Sequence, residues 1–259
     1  MMRITVLAEN TSIGDDFGYE HGLSLYIETD KQKILFDMGQ TELFWENAQK
    51  LGIDLSETDI AVLSHGHYDH GGGLKKFLEI NHKAPVYISR YAFEPHFNGK
   101  EKYIGLDISL RDNARFVFTE DSYEIGRGLM LYSCNDRPKI VDMGSFGLNS
   151  FVNDKLVCDD FRHEQYLLIE EEGRRILFSG CSHKGVINIA EWFAPHVLVG
   201  GFHFSKLPPG DVLEGYARKL DSYDTDYYTC HCTGTEQLSF MKNFMGRLRG
   251  ISSGESIVI

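Results

Sequence analysis

The sequence predicts a mixed α/β (α+β) chain folded as an αββα sandwich, two sheets packed together with helices outside. Three observations predict it. Strand-like and helix-like segments alternate along the whole length, and each strand-rich half is followed by helices. Lys33-Ile34-Leu35-Phe36-Asp37-Met38-Gly39 is echoed by Arg175-Ile176-Leu177-Phe178-Ser179-Gly180-Cys181, and each closes a hairpin before a Gly-containing loop and a helix. Chance similarity of two apolar strands is the alternative reading of that echo. No linker or low-complexity stretch divides the 259 residues, so residues 1–259 are expected to form a single domain.

The elements follow in order. Ile4 to Ala8 is a short apolar run and reads as a first strand. Leu23 to Glu28 and Lys33 to Phe36 flank the polar turn Thr29-Asp30-Lys31-Gln32 and read as a hairpin. Phe44, Ala48 and Leu51 lie at helical spacing, and Gly52 ends that helix. Ile60 to Leu63 is a buried-type strand, Gly73 to Ile80 a helix and Pro85 to Ile88 another strand. Arg115 to Phe118 and Leu129 to Ser133 read as strands, whereas 136–160 is polar and irregular and reads as a loop over a site. Gln165 to Glu170 and Arg174 to Phe178 flank Glu171-Glu172-Gly173 as a second hairpin. Helices are expected around Val186–Phe193, Val212–Leu220 and Leu238–Met245, with strands at His196–Val199 and Asp226–Cys230.

Composition narrows the function. Hydrophobic residues are 42% and charged residues 25%, ordinary globular usage that excludes disorder and coiled coil. A net charge of −12 repels phosphate backbones, so no nucleic-acid partner is expected. No apolar run is long enough to span a bilayer and the start lacks a signal-peptide core, so neither membrane insertion nor export is expected. Five cysteines are an odd number, which fits a reduced, cytoplasmic protein better than a disulfide scaffold.

The chemistry concentrates in Leu63-Ser64-His65-Gly66-His67-Tyr68-Asp69-His70-Gly71-Gly72-Gly73. His65, His67, Asp69 and His70 are four potential ligands within six residues, directly after a strand. Imidazole and carboxylate are good ligands for zinc and similar divalent ions. A sharp loop aims such residues into one cavity, and the glycines let the backbone approach it. No G-x-S-x-G elbow or phosphate-binding loop competes.

His-x-His-x-Asp-His also resembles the signature of the metallo-β-lactamase superfamily, a likeness that extends over nearly the whole chain. The resemblance implies the αββα metallo-β-lactamase sandwich and two divalent metal ions, zinc first, with manganese or iron as alternatives. It implies that His65 and His67 hold one metal while Asp69 and His70 hold the second. It places Asp37 outside the ligand shell, orienting the histidine loop. His231, in Cys230-His231-Cys232-Thr233-Gly234, matches the final histidine ligand, although the Cys-x-Cys pair could itself read as a metal site. Cys181 stands where most relatives carry a bridging Asp, and a thiolate is a competent zinc ligand.

Two histidines compete for the third place on the first metal, His163 before a strand and His183 beyond Cys181. Gly-Cys-Ser-His favours His183, because it resembles a narrower family named for dihydropterin–ribofuranosylaminobenzene phosphate synthase. Glu20-His21-Gly22-Leu23-Ser24, Asp159-Asp160-x-x-His163-Glu164, Gly200-Gly201-Phe202-His203 and His231-Cys232-Thr233-Gly234 match the same family. His21 and His203 then have no metal role and are candidates to bind an anionic substrate group or donate a proton. Glu9 and Asn10 end the first strand and are candidates for the same rim, while His82, His96 and His196 are expected to be solvated or structural.

Together these imply a metal-dependent hydrolase of a small cytosolic metabolite, phosphorylated metabolites among the candidates, with activated water attacking an ester, thioester, lactone or phosphoester. Asp69, His183 and His203 are its candidate catalytic residues. The alternatives are the condensation of a pterin with a ribofuranosylaminobenzene phosphate, and a metal-binding sensor without turnover.

Overall fold

The computed structural model describes residues 1–153 and 155–259. The chain divides into two compact units, each discontinuous in sequence. Unit 1 comprises Met1–Glu120, Gly147–His163 and Ser252–Ile259, and unit 2 comprises Asp121–Phe146 and Glu164–Ile251.

Unit 1 begins with strands β1 (Arg3–Ala8), β2 (Ser24–Glu28) and β3 (Lys33–Phe36), then helix α1 (Leu43–Lys50). Strand β4 (Ile60–Val62) leads to the one-turn helix α2 (Tyr68–Gly71) and to α3 (Leu74–Ile80). Strands β5 (Val86–Ser89), β6 (His96–Asn98), β7 (Lys102–Tyr103) and β8 (Phe116–Thr119) follow. Unit 2 opens with β9 (Ser122–Gly126) and β10 (Leu129–Tyr132) before the chain returns to unit 1 for β11 (Leu148–Val152) and β12 (Lys155–Cys158). Unit 2 resumes with β13 (Tyr166–Glu171), β14 (Arg174–Ser179), α4 (Val186–Phe193) and β15 (Val197–Gly200). Helix α5 (Asp211–Asp221), β16 (Asp226–Thr229), α6 (Thr235–Met241) and β17 (Leu248–Gly250) complete it, and β18 (Ser256–Val258) closes unit 1.

The main sheet of unit 1 has the order β18-β1-β2-β3-β4-β5-β8. Its pairings are antiparallel from β18 to β3 and parallel from β3 to β8. The parallel strands β4 and β5 read Ile-Ala-Val and Val-Tyr-Ile-Ser and are buried at every position, the continuous burial such strands require. Phe44, Ala48, Leu74 and Phe77 bring α1 and α3 into the core beside Leu35, Ala61 and Val86. Each buried phenylalanine there is worth about 1.5–3 kcal/mol. Asn47 is the polar exception on α1. Its amide donates to the carbonyls of Leu7 at 2.8 Å and Gly18 at 2.9 Å, which ties the helix to β1. The helix stops where the sequence predicts. Gly52 has a φ of +72°, donates to Gln49 O at 3.1 Å, and Ile53 donates to Ala48 O at 2.8 Å, the paired bonds of a Schellman ending.

A second, four-stranded sheet in unit 1 runs β12-β11-β6-β7. This corrects the reading of 136–160 as a loop, since β11 and β12 form an antiparallel hairpin within it. Leu148–Val152 and Lys155–Cys158 carry polar residues on a half-exposed ladder, so no apolar alternation announces them. Strand β9, half-exposed for the same reason, was also not anticipated.

Unit 2 has one sheet, ordered β17-β16-β15-β14-β13-β10-β9. Its pairings are antiparallel from β9 to β14 and parallel from β14 to β17. Glu172 and Gly173, with φ of 50° and 78°, make the two-residue turn between β13 and β14 that suits the right-handed strand twist. The core gathers Leu177, Leu198 and Tyr227 from the sheet with Val186, Ile189, Ala190, Leu213, Ala217 and Met241 from the helices. The two units therefore share one pattern of strand pairing, differing in connectivity at the edge, where β18 comes last in unit 1 and β9 first in unit 2. Each sheet has seven strands, three antiparallel pairings followed by three parallel ones, and β2–β3 corresponds to β13–β14. The echo in the sequence is the trace of this repeat.

Candidate metal centre

In unit 1 the pairing Phe36↔Val62 sets the ends of β3 and β4 side by side. Asp37 follows β3 directly and takes a φ of +60°, a left-handed value that aspartate tolerates. Its fully buried carboxylate accepts three hydrogen bonds: Oδ1 from Ser64 N–H at 2.7 Å, and Oδ2 from Ser64 Oγ at 2.7 Å and His70 Nδ1 at 2.6 Å. Ser64 Oγ in turn lies 2.8 Å from His65 Nδ1. With the serine proton given to Asp37, His65 donates from Nδ1. Both His65 and His70 thus carry a proton on Nδ1, which leaves Nε2 turned away from these partners.

His67 is the extended residue at the start of α2, and Asp69 and His70 lie on that single turn. The rings of His65 and His67 are 4.6 Å apart and those of His65 and His70 4.2 Å. Burial first, then the neighbouring His163 and His96, hold the His67 imidazole well below the usual histidine range, so it stays neutral. Two glycines make the close packing possible. A Cβ on Gly66 would stand 2.2 Å from Ala92 O, and one on Gly72 2.1 Å from Gln40 O.

Asn10, His21 and Asp69 form a chain. Asn10 Nδ2 lies 3.4 Å from His21 Nδ1, and His21 Nε2 lies 3.2 Å from Asp69 Oδ2. Asn10 donating to Nδ1 puts the His21 proton on Nε2, facing the carboxylate. Glu9 has a local role, accepting from Thr11 N–H and Oγ1 at 2.6 Å.

His163 is fully buried, and its Nδ1 accepts from Gly66 N–H at 2.9 Å. Its proton is therefore on Nε2, which lies 3.4 Å from Asp159 Oδ2. Asp159 Oδ2 also accepts from His96 Nδ1 at 3.0 Å, and Oδ1 accepts from Phe161 N–H at 2.8 Å. Burial opposes the ionisation of Asp159, but His163 and His96 outweigh it and hold the carboxyl far below its usual range.

In unit 2 Cys181 and His183 lie on the loop between β14 and α4. Glu164 fixes that loop. Its buried carboxylate accepts from His183 N–H at 2.6 Å, Lys184 N–H at 3.0 Å and Tyr166 Oη at 2.6 Å. Lys184 is also buried, bonded to Ser133 O at 2.7 Å and Asn135 Oδ1 at 2.8 Å, and burial pushes its ammonium down to about 8. Cys181, His183 and His203 place one donor atom each within 4.8 Å of one another, and so do Cys181, His231 and Cys232. His203 and His231 both take left-handed φ values, 57° and 50°. His203 N–H donates to Cys232 Sγ at 3.3 Å. Burial favours the neutral Cys232 thiol, but its bonds to Cys181 and His203 and the nearby His203 and His231 lower it well below the usual thiol range.

Within unit 1 the structure thus gathers His65, His67 and His70 with Asp37 beneath them, and Asp69 with His21 and Asn10. Within unit 2 it gathers Cys181, His183, His203 and His231. His82 is exposed and His196 Nδ1 accepts from Arg175 N–H at 2.9 Å, as expected of solvated or structural residues. No role is read from the sequence for Ser64 or Glu164, Cys232 enters only through the Cys-x-Cys pair, and His96 is expected to be solvated or structural. His96 is fully buried among His67, His163 and Asp159. Nothing local to Pro95-His96-Phe97 signals this, because its partner Asp159 is 63 residues away.

Comparison with known proteins bears on the whole chain. The family model of the metallo-β-lactamase superfamily matches residues 18–223. An uncharacterised protein of Methanocaldococcus jannaschii is 30% identical over 96% of this chain and 100% of its own length. The 7,8-dihydropterin-6-methyl-4-(β-D-ribofuranosyl)-aminobenzene-5′-phosphate synthase of the same organism is 27% identical over 99% of this chain and 96% of its own. The crystal structure of Tm1679, described as a metal-dependent hydrolase of the β-lactamase superfamily, superposes with a TM-score of 0.83 at 30% identity, covering 100% of this chain and 99% of that one. The α/β class expected from the sequence, the αββα sandwich of that superfamily, is the fold these likenesses show.

Proposed function

Because the chain belongs to the metallo-β-lactamase superfamily, we propose that it is a metal-dependent hydrolase of a small metabolite, with zinc as its resident metal. The observation that carries the reading is the set of buried imidazoles in unit 1. Asp37 and Ser64 fix the tautomers of His70 and His65, and His67 stays neutral, so the donors are prepared before any metal arrives. Imidazole, carboxylate and thiolate together form a donor set suited to zinc. We assign as ligands His65, His67, Asp69 and His70 in unit 1, and Cys181, His183 and His231 in unit 2, for two divalent ions. We also read residues 1–259 as one functional domain, since the chain returns to unit 1 twice after entering unit 2.

When bound, such ions supply Lewis acidity and activate water for attack on an ester, thioester, lactone or phosphoester. The remaining roles fall to the chain itself. Asp37 orients His70. Asp69, paired with a half-exposed His21 that Asn10 orients, can pass a proton toward solvent. His203, beside His183 and with its ring 4.2 Å from that of Phe146, is assigned to the substrate's anionic group or to proton donation. Glu164 and Lys184 hold the Cys181–His183 loop. No disulfide joins the cysteines among the described residues, which supports a reduced, cytoplasmic setting; among the same residues no helix is long and apolar enough to cross a membrane.

The relative named as a synthase favours a second reading, condensation of a pterin with a ribofuranosylaminobenzene phosphate. The test is turnover of phosphodiester, thioester and lactone substrates, and of that condensation pair, by protein loaded with zinc, manganese or iron. Hydrolysis of at least one class, lost in His67→Ala, is expected. Condensation alone favours the second reading, and a full metal complement with no turnover would make the protein a sensor.

A further inference from the structure

We infer that His96 is itself a metal ligand, binding through Nε2 to the ion that His67 holds, with Asp159 as the carboxylate that orients it. This rests on the reading of unit 1 as metal-binding and adds an imidazole that the signature loop does not supply. The four-stranded sheet builds the arrangement. Strand β11 pairs with β6 through Ser150↔His96 and with β12 through Asn149↔Cys158, so the start of β6 and the residue after β12 meet across it. His96 is fully buried, and its Nδ1 lies 3.0 Å from Asp159 Oδ2.

The hydrogen bonds then fix the protons. Asp159 Oδ1 accepts from Phe161 N–H and Oδ2 faces His96 Nδ1, so the shared proton is placed on His96 Nδ1 and the lone pair on Nε2. That Nε2 has no hydrogen-bond partner among the described residues, though it is shut away from solvent. Buried nitrogens of this kind are rare unless something else engages them. His67 stands beside it, with ring centres 5.4 Å apart at an interplanar angle of 80°. His67, His96, His163 and Asp159 each bring a donor atom within 4.8 Å of the others.

The two nitrogens of His163 are committed within this group. His163 accepts from Gly66 at Nδ1, and its Nε2 proton faces Asp159. Asp159 Oδ2 faces the ring N–H groups of His96 and His163 while Oδ1 accepts from Phe161 N–H, so this carboxylate serves to orient the imidazoles. His67 and His96 remain as the coordinating pair, and His163 acts with Asp159 as a positioning residue. A carboxylate behind a histidine that faces a metal is the arrangement Asp37 and His70 also show, so unit 1 has built it twice.

The test is zinc affinity by chelator competition, together with the visible spectrum of the cobalt-substituted protein. It compares the natural chain with His96→Gln, Asp159→Asn and, as a control, the exposed His82→Gln, with thermal melts checking the fold. We expect His82→Gln to match the natural chain and His96→Gln to lose affinity about 100-fold with an altered cobalt spectrum. Asp159→Asn should lose about 10-fold, the size of effect that orienting partners have. A folded His96→Gln with unchanged affinity and spectrum overturns the inference and leaves the metal centre standing. Natural protein that takes up no metal overturns both. Should the buried variants fail to fold, nitrogen-15 spectra of the natural protein decide, since zinc must shift the His96 Nε2 resonance and an unmoved resonance refutes the assignment.

Discussion

Asp37→Asn is the substitution from which the structure predicts most. The side chain keeps its shape, and the amide has one orientation that suits the backbone. Its oxygen must stay where Oδ1 accepts Ser64 N–H, because turning it away would leave a buried N–H unpaired. The amide nitrogen then takes the place of Oδ2, facing Ser64 Oγ and His70 Nδ1. It can only donate. Ser64 accepts without difficulty, but His70 must surrender its Nδ1 proton and carry one on Nε2, the nitrogen we assign to metal. A hydrogen bond to a charged group, worth about 1.5–3 kcal/mol, is replaced by a neutral one of about 0.5–1.5 kcal/mol. Metal affinity should fall by about 10–100-fold, the usual cost of losing an orienting carboxylate. The metal-free protein should lose about 1–2 kcal/mol, or about 2–8 °C at 2–4 °C per kcal/mol. Chelator competition and thermal melts of both forms read the two effects. Unchanged zinc affinity would refute the tautomer argument, whatever happened to stability.

Two further outcomes follow from the same geometry. Cys181 is buried and assigned as a ligand, so its alkylation should be slow in the metal-loaded protein and markedly faster after chelation, as mass spectrometry of the peptide would show; equal rates would remove it from the ligand set. The depressed His67 has a sign that can be worked out. Below about pH 6.5 the unfolded chain takes up a proton that the metal-free folded chain refuses, so stability should fall as pH drops through that range, by up to about 1.4 kcal/mol per pH unit for this one group. A metal-free protein whose melting temperature is flat between pH 7.5 and 5.5, with no difference in His67→Gln, would contradict this.

What the sequence reveals depends on how local the signal is. The loop from His65 to His70 was legible because its donors lie within six residues, straight after the buried strand Ile60–Val62. Asp37 and Cys181 were singled out through the family resemblance together with the repeat, since Asp37 directly follows β3 and Cys181 stands two residues beyond β14, the second strand of the equivalent hairpin. The helices were found because Phe44 and Ala48, or Val186, Ile189 and Ala190, keep a helical period on a buried face. The sheet of β6, β7, β11 and β12 was missed because its strands are two to five residues long and half-exposed, so only the backbone ladder defines them. Missing that sheet meant missing His96, whose position depends on the register of β11 with both neighbours. Glu164 went unnoticed for a related reason. Its carboxylate holds the backbone of residues about twenty positions away, and a side chain that binds main-chain N–H groups leaves no pattern in the residues it binds.

The proposed metal centre depends on buried imidazoles that the chain orients to hold divalent metal. Elemental analysis of the protein purified without added metal or chelator, then saturated with zinc and desalted, tests it most directly. Two zinc ions per chain are expected, with zinc lost in His67→Ala while that variant remains folded. A natural chain that retains no zinc, or a folded His67→Ala that keeps both ions, would contradict it.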